Sequence, residues 1–111
     1  IGTWTSATVA AEWSYLEWPV SSADLEKLRG VRFIFTSGNH ALEIEGIELL
    51  ENGKVIARDQ HAGLAGKPSH GNFYQLSLPK GTHANNGCSL RARVRSMGGK
   101  SSNGKLELVK E

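Results

Sequence analysis

The stretch Ala41–Asp59, ALEIEGIELLENGKVIARD, decides the fold. Leu42 and Ile44 alternate with Glu43 and Glu45, the period-two pattern of a strand with one apolar and one polar face. Ile47 and Leu49 carry the alternation on in the opposite phase, and the slip falls at Gly46, which predicts a β-bulge there. Asn52-Gly53 then supplies the positive φ values of a tight turn, so KVIARD, Lys54–Asp59, is expected to run back antiparallel to Ile47–Glu51.

The same signature recurs on either side. Downstream, CSLRARVRS, Cys88–Ser96, is the cleanest strand in the chain: Cys88, Leu90, Ala92 and Val94 point one way, Ser89, Arg91, Arg93 and Arg95 the other. A polar loop over Lys80–Gly87 precedes it, and a glycine-rich turn over Gly98–Gly104 separates it from a last strand at Lys105–Val109. Upstream, Val31, Phe33 and Phe35 alternate. Before them Ser21–Leu28 opens with cap residues and early acids and is stopped by Gly30, which predicts one or two helical turns. In Glu12–Val20, EWSYLEWPV, Leu16, Trp18 and Val20 share one face and Trp13 and Tyr15 the other, so aromatic area falls on both sides and Trp18 is the expected core member. Gly2–Ala10 reads as an edge strand or a lead-in to one. About eight short strands and one short helix predict an all-β, two-layer antiparallel sandwich or jelly roll.

Between the two halves lies Asp59–Tyr74, DQHAGLAGKPSHGNFY, a long connection rich in glycine and polar side chains. Connections of this length are functional or disordered, and Ala62, Leu64 and Ala65 argue for order by offering apolar groups to pack inward.

Composition limits the function classes. At 111 residues the chain makes one domain, residues 1–111, able to bury ~60–70% of its unfolded surface without metal or disulfide staples. It begins Ile-Gly-Thr, with neither an initiator Met nor a signal segment, and is expected to be a module excised from a larger protein. The single cysteine, Cys88, forms no internal disulfide and sits in strand phase as a buried thiol. A net charge of +2, with acids and bases interspersed, gives neither a nucleic-acid footprint nor a membrane-binding surface.

From about Gly30 onward the chain resembles the galactose-binding-like β-sandwich modules appended to bacterial glycoside hydrolases, notably the β-hexosaminidases. The resemblance rests on Leu42, Ile44, Asn52, Gly53, Asp59, His61, Gly63, Gly66, Asn72, Tyr74, Ser102 and Gly104; Lys100 and Ser101 depart from it in the late turn, where a small residue and an Asp are expected. It implies a galactose-binding-like jelly roll, a secreted, periplasmic or cell-surface parent, a neighbouring catalytic domain in the same chain, and a glycan as ligand. The module itself would be non-catalytic and would raise effective substrate concentration by tethering. The alternative is a structural or protein-interaction module that binds no sugar.

A sugar site needs an exposed aromatic face for the apolar side of the ring and polar groups for its hydroxyls. Trp13 and Tyr15 offer the first; Asp59, His61, His70 and Asn72, with one of Arg91, Arg93 or Arg95, offer the second. Two structural readings compete. Asp59 can accept backbone N–H bonds from the following turn and orient His61, locking the loop, and this is preferred to a sugar or metal contact. The arginine ladder can pair across strands with Glu43 and Glu45, which is preferred to an anion site for sulfated or sialylated sugar. Zinc is disfavoured because only Asp59, His61 and His70 are close in sequence, with no Cys or further acidic partner nearby. The resemblance implies a structural calcium rather than zinc, and a strong site would need Glu48, Glu51 or Glu107 brought to the loop by folding. The acids alternate singly with apolar residues, and there is no Gly-x-Ser-x-Gly nucleophile motif, so no catalytic residues are assigned.

Overall fold

A computed structural model describes residues 2–5, 9, 11–78, 87–96 and 102–110. In chain order the elements are β1 (Gly2–Thr5), β2 (Ser14–Val20), α1 (Ser22–Glu26), β3 (Leu28–Ser37), β4 (Leu42–Glu51), β5 (Lys54–Ala65), β6 (Phe73–Gln75), β7 (Cys88–Ser96) and β8 (Asn103–Lys110). They form two antiparallel four-stranded sheets, β1-β8-β3-β6 and β2-β7-β4-β5. The all-β sandwich read from the alternation is therefore the observed architecture. Most of the predicted Lys80–Gly87 loop, and the part of the late turn holding Lys100 and Ser101, lie outside the described residues.

Each sheet turns its apolar phase toward the other. Strand β7, at the centre of one sheet, buries Cys88, Leu90, Ala92 and Val94 as its pattern requires. Strand β4 buries Leu42 and Ile44 before Gly46 and Ile47 and Leu49 after it; the ladder slips between Ile44 and Gly46 against both neighbours. The predicted bulge is thus what keeps one strand's two apolar runs on a single face. From the opposite sheet come Val31 and Phe33 of β3, Tyr74 of β6 and Leu106 of β8, all buried. Trp18 is in the core as expected, edge-on to Phe33 at 6.1 Å, and its indole N–H donates to the Thr3 carbonyl of β1 at 3.3 Å.

The local devices follow the sequence. Asn52 (φ 50°) and Gly53 (φ 82°) form the β4–β5 turn, both in the left-handed region that glycine and asparagine tolerate best. In α1 the Ser21 hydroxyl accepts from the Asp24 N–H at 3.2 Å and Leu25 is buried, so the single turn serves to plug one end of the sandwich. Among the described residues strand β1 is at the edge of its sheet, paired with β8.

The helix read over Ser21–Leu28 stops at Glu26, with Leu28 already in β3, but the largest boundary difference from the sequence reading is at the end of β5. The strand expected to end at Asp59 runs on to Ala65, so the first seven residues of the supposed loop are strand. Ala65 is buried, Leu64 is half-buried, and Ala62 is exposed rather than packed inward. The true connection is short. It turns at Gly66–Ser69, where the Ser69 hydroxyl accepts from the Gly66 N–H at 2.9 Å and donates to the Gly66 carbonyl at 3.0 Å, and it returns beside β5 through paired Leu64–His70 backbone bonds of 2.8 and 3.0 Å.

Candidate functional site

Alternation places every second residue of β2, β7, β4 and β5 on the solvent side of their sheet. Successive cross-strand rows there run Arg95–Glu43, then Tyr15–Arg93–Gly46–Gln60, then Glu17–Arg91–Glu48–Arg58. Trp13 stands just ahead of β2 on the same side. The bulge matters here as well. Because the phase slips at Gly46, Glu48 joins Glu43 and Glu45 on this face; unbroken alternation would have turned it inward.

The arginine ladder pairs with acids, as the cross-strand reading expects, and with one more acid than that reading named. Arg91 donates through Nε and Nη2 to Glu48 Oε1 at 3.1 and 2.7 Å, and Arg95 Nε to Glu43 Oε2 at 2.9 Å. Looser pairs at 3.6 Å join Arg93 to Glu45 and Arg58 to Glu48. The hydrogen bond to Glu48 holds the Arg91 guanidinium even further above its ordinary range, burial opposing it weakly. The guanidinium groups also stand over the aromatics: Arg91 lies 5.0 Å from the Tyr15 ring centre, Arg95 and Arg93 lie 4.7 and 5.8 Å from that of Trp13. Tyr15 nevertheless remains 57% exposed. The result is a shallow surface lined by Tyr15, Glu45, Gln60, Arg91 and Arg93, with Trp13 nearby, whose aromatic rings have paired arginines against them.

Asp59, His61 and Asn72 do not join this surface. Asp59 is in register with the buried Ile47, so it points to the sandwich side of β5, where the edge of β5 meets β6 of the other sheet. Its two carboxylate oxygens are both engaged: Oδ2 accepts from the Gln75 N–H at 2.7 Å, and Oδ1 lies 3.0 Å from His61 Nδ1. The other ring nitrogen of His61 lies 2.9 Å from the Gly71 carbonyl, and the imidazole stacks on Tyr74 with centres 4.0 Å apart. Tyr74 donates its hydroxyl to the His61 carbonyl at 2.9 Å, and its phenol is pushed well above the ordinary tyrosine range by burial first and the Asp59 charge second, so it stays a neutral donor. Asn72 closes the group, donating to the Phe33 carbonyl at 2.7 Å while its own carbonyl accepts from the Phe33 N–H at 3.0 Å.

The loop-locking reading of Asp59 and His61 therefore describes their geometry, with one correction. Asp59 accepts from β6 rather than from the glycine-rich turn, because β5 continues past it. The lock ties one sheet to the other. His70 is an exposed residue at the β5 edge, held by its backbone. Asp59→Ala is expected to destabilise the domain by about 1–2 kcal/mol, and Asp59→Asn by less, since an amide oxygen can still accept from Gln75; urea titration of the two variants reads the difference.

Among the described residues no three His, Cys, Asp or Glu side chains gather as a metal-binding group. Of the acids considered for a calcium ion, Glu48 is committed to the arginine face and Glu107 to Arg32 at 3.6 Å on the outer side of the other sheet. Neither is brought to the Asp59 loop. Compared with models of protein families and with curated proteins, the chain finds no match.

Proposed function

We propose that the domain is a non-catalytic carbohydrate-binding module, and that the outer face of the β2-β7-β4-β5 sheet holds the glycan. The observation that carries this reading is the placement of Tyr15, 57% exposed, beside Trp13 on a face otherwise made of paired hydrogen-bonding groups. An exposed aromatic ring can stack on the apolar side of a pyranose, and carboxylate, guanidinium and amide groups around it exchange hydrogen bonds with hydroxyls. A structural spacer would instead present a contiguous apolar patch to its neighbour. The two large hydrophobic side chains most exposed among the described residues, Tyr15 and Phe73, lie on the outer faces of different sheets, which favours the glycan reading.

On this reading the ligand residues are Trp13 and Tyr15, with Glu45 and Gln60 within reach, while Asp59, His61 and Asn72 hold the scaffold. Tyr15→Ala is expected to weaken binding of a responsive oligosaccharide at least ~10-fold, about 1.4 kcal/mol, and to leave the unfolding midpoint nearly unchanged, because the ring is mostly in solvent. Calorimetric titration across an oligosaccharide panel, paired with thermal unfolding, tests both. Failure of the folded wild-type domain to bind any glycan would assign the face to a protein partner or to no ligand.

A further inference from the structure

The charges on this face say which glycans it accepts. Four arginines, Arg58, Arg91, Arg93 and Arg95, stand there with four glutamates, Glu17, Glu43, Glu45 and Glu48. Among the described residues these charges cancel. Each arginine also has a carboxylate partner, and the three on β7 have an aromatic ring against the guanidinium as well. Glu48 is the centre of the array: its side chain, 15% exposed, serves both Arg91 and Arg58.

Resting on the glycan reading above, we propose that the platform is selective for uncharged glycans and rejects sulfated, sialylated or uronate-bearing chains. An anionic substituent that approaches a guanidinium here also comes within a few ångströms of that arginine's carboxylate partner, so it meets repulsion where it seeks attraction. Hydroxyl groups meet no such repulsion. Each guanidinium has five N–H donors, of which Arg91 spends two and Arg95 one on a glutamate while Arg93 and Arg58 stand 3.6 Å from theirs; each carboxylate keeps free lone pairs; the Gln60 amide offers both functions. A neutral polyol next to a stacking ring satisfies that set.

The test titrates the domain with uncharged gluco-, galacto- and N-acetylhexosamine oligosaccharides, and with sulfated and sialylated chains of matching length, at physiological salt. Binding confined to uncharged chains, and lost in Tyr15→Ala, is the expected result. Tighter binding of the sulfated or sialylated chains overturns the selectivity while leaving the glycan reading intact. No binding of either class by the folded domain overturns the glycan reading and this inference with it. The second arm uses Glu48→Gln with Glu45→Gln, which frees arginines with almost no change of shape. This pair is expected to raise affinity for the sulfated chain at least ~10-fold, with a salt dependence the wild type lacks. Glu45→Gln alone, at a half-exposed position, gives the same direction of change should the double variant fold poorly. A folded variant with no such gain overturns the role assigned to the carboxylates.

Discussion

Phe33→Ala is expected to lower the free energy of unfolding by about 4 kcal/mol, and the melting temperature by roughly 15–25 °C for a domain of this size. Phe33 is fully buried and stands at the middle of an aromatic row that crosses the sandwich. Its ring meets Trp18 of β2 edge-on at 6.1 Å and Tyr74 of β6 at 5.8 Å, so one side chain joins the inner faces of both sheets. Truncation removes that area from the core and leaves a cavity the rigid strands cannot close, since their hydrogen bonds fix the spacing. The row continues through Tyr74 into the His61 stack, so loosening is also expected at the β5–β6 lock. Equilibrium urea unfolding measures the loss; a midpoint drop with an unchanged slope places it in the native state. A cost below about 1 kcal/mol would mean that the core repacks around the missing ring.

Gly63→Ala is the second large effect, expected at about 3 kcal/mol. Gly63 is buried on β5 opposite Ile44, with the returning chain pressed against it. A methyl group there would collide with the carbonyl of Gly71 and come within 2.5 Å of the Tyr74 hydroxyl. One of these is backbone and cannot step aside without breaking the paired Leu64–His70 bonds. The other can be removed by mutation. Tyr74→Phe is therefore expected to relieve part of the Gly63→Ala cost but not most of it, and a double-mutant cycle separates the two. Full relief by Tyr74→Phe would show that the backbone approach is softer than the distances indicate.

The elements a reader of the sequence can find are those written in neighbouring residues. Alternation marks β4 and β7, the phase slip marks the bulge at Gly46, Asn52-Gly53 marks the hairpin, and the shared phase of Leu16, Trp18 and Val20 puts Trp18 inside. What escapes is set by distant partners. Residues 59–65 look like loop because Asp59, Gln60, His61 and Gly63 are poor strand formers, yet each fits once β6 and the returning turn lie alongside: Asp59 and His61 as the lock, Gly63 as the place where two backbones touch. The candidate site divided for the same reason. Trp13 and Tyr15 fall on the outer side of one sheet, Asp59 and His61 on the inner side of its edge strand, and nothing local states which strand pairs with which. Glu48 could have been found, since the slip that identifies the bulge also moves it into phase with Glu43 and Glu45.

The strand order has a further consequence, for the speed and sequence of folding. The turn at Asn52-Gly53 closes β4 on β5 over a handful of residues, and such a hairpin forms in microseconds. Strand β7 cannot be enclosed by β2 and β4 until a chain segment from near the start has been brought beside one from near the end, and β1 finds β8 only across almost the whole chain. Loop-closure entropy makes those pairings late, so the domain belongs among the millisecond-to-second folders. Until they form, the proposed glycan platform does not exist, because β2 brings the aromatic ring and β7 the cations, and these pairings are expected late in assembly.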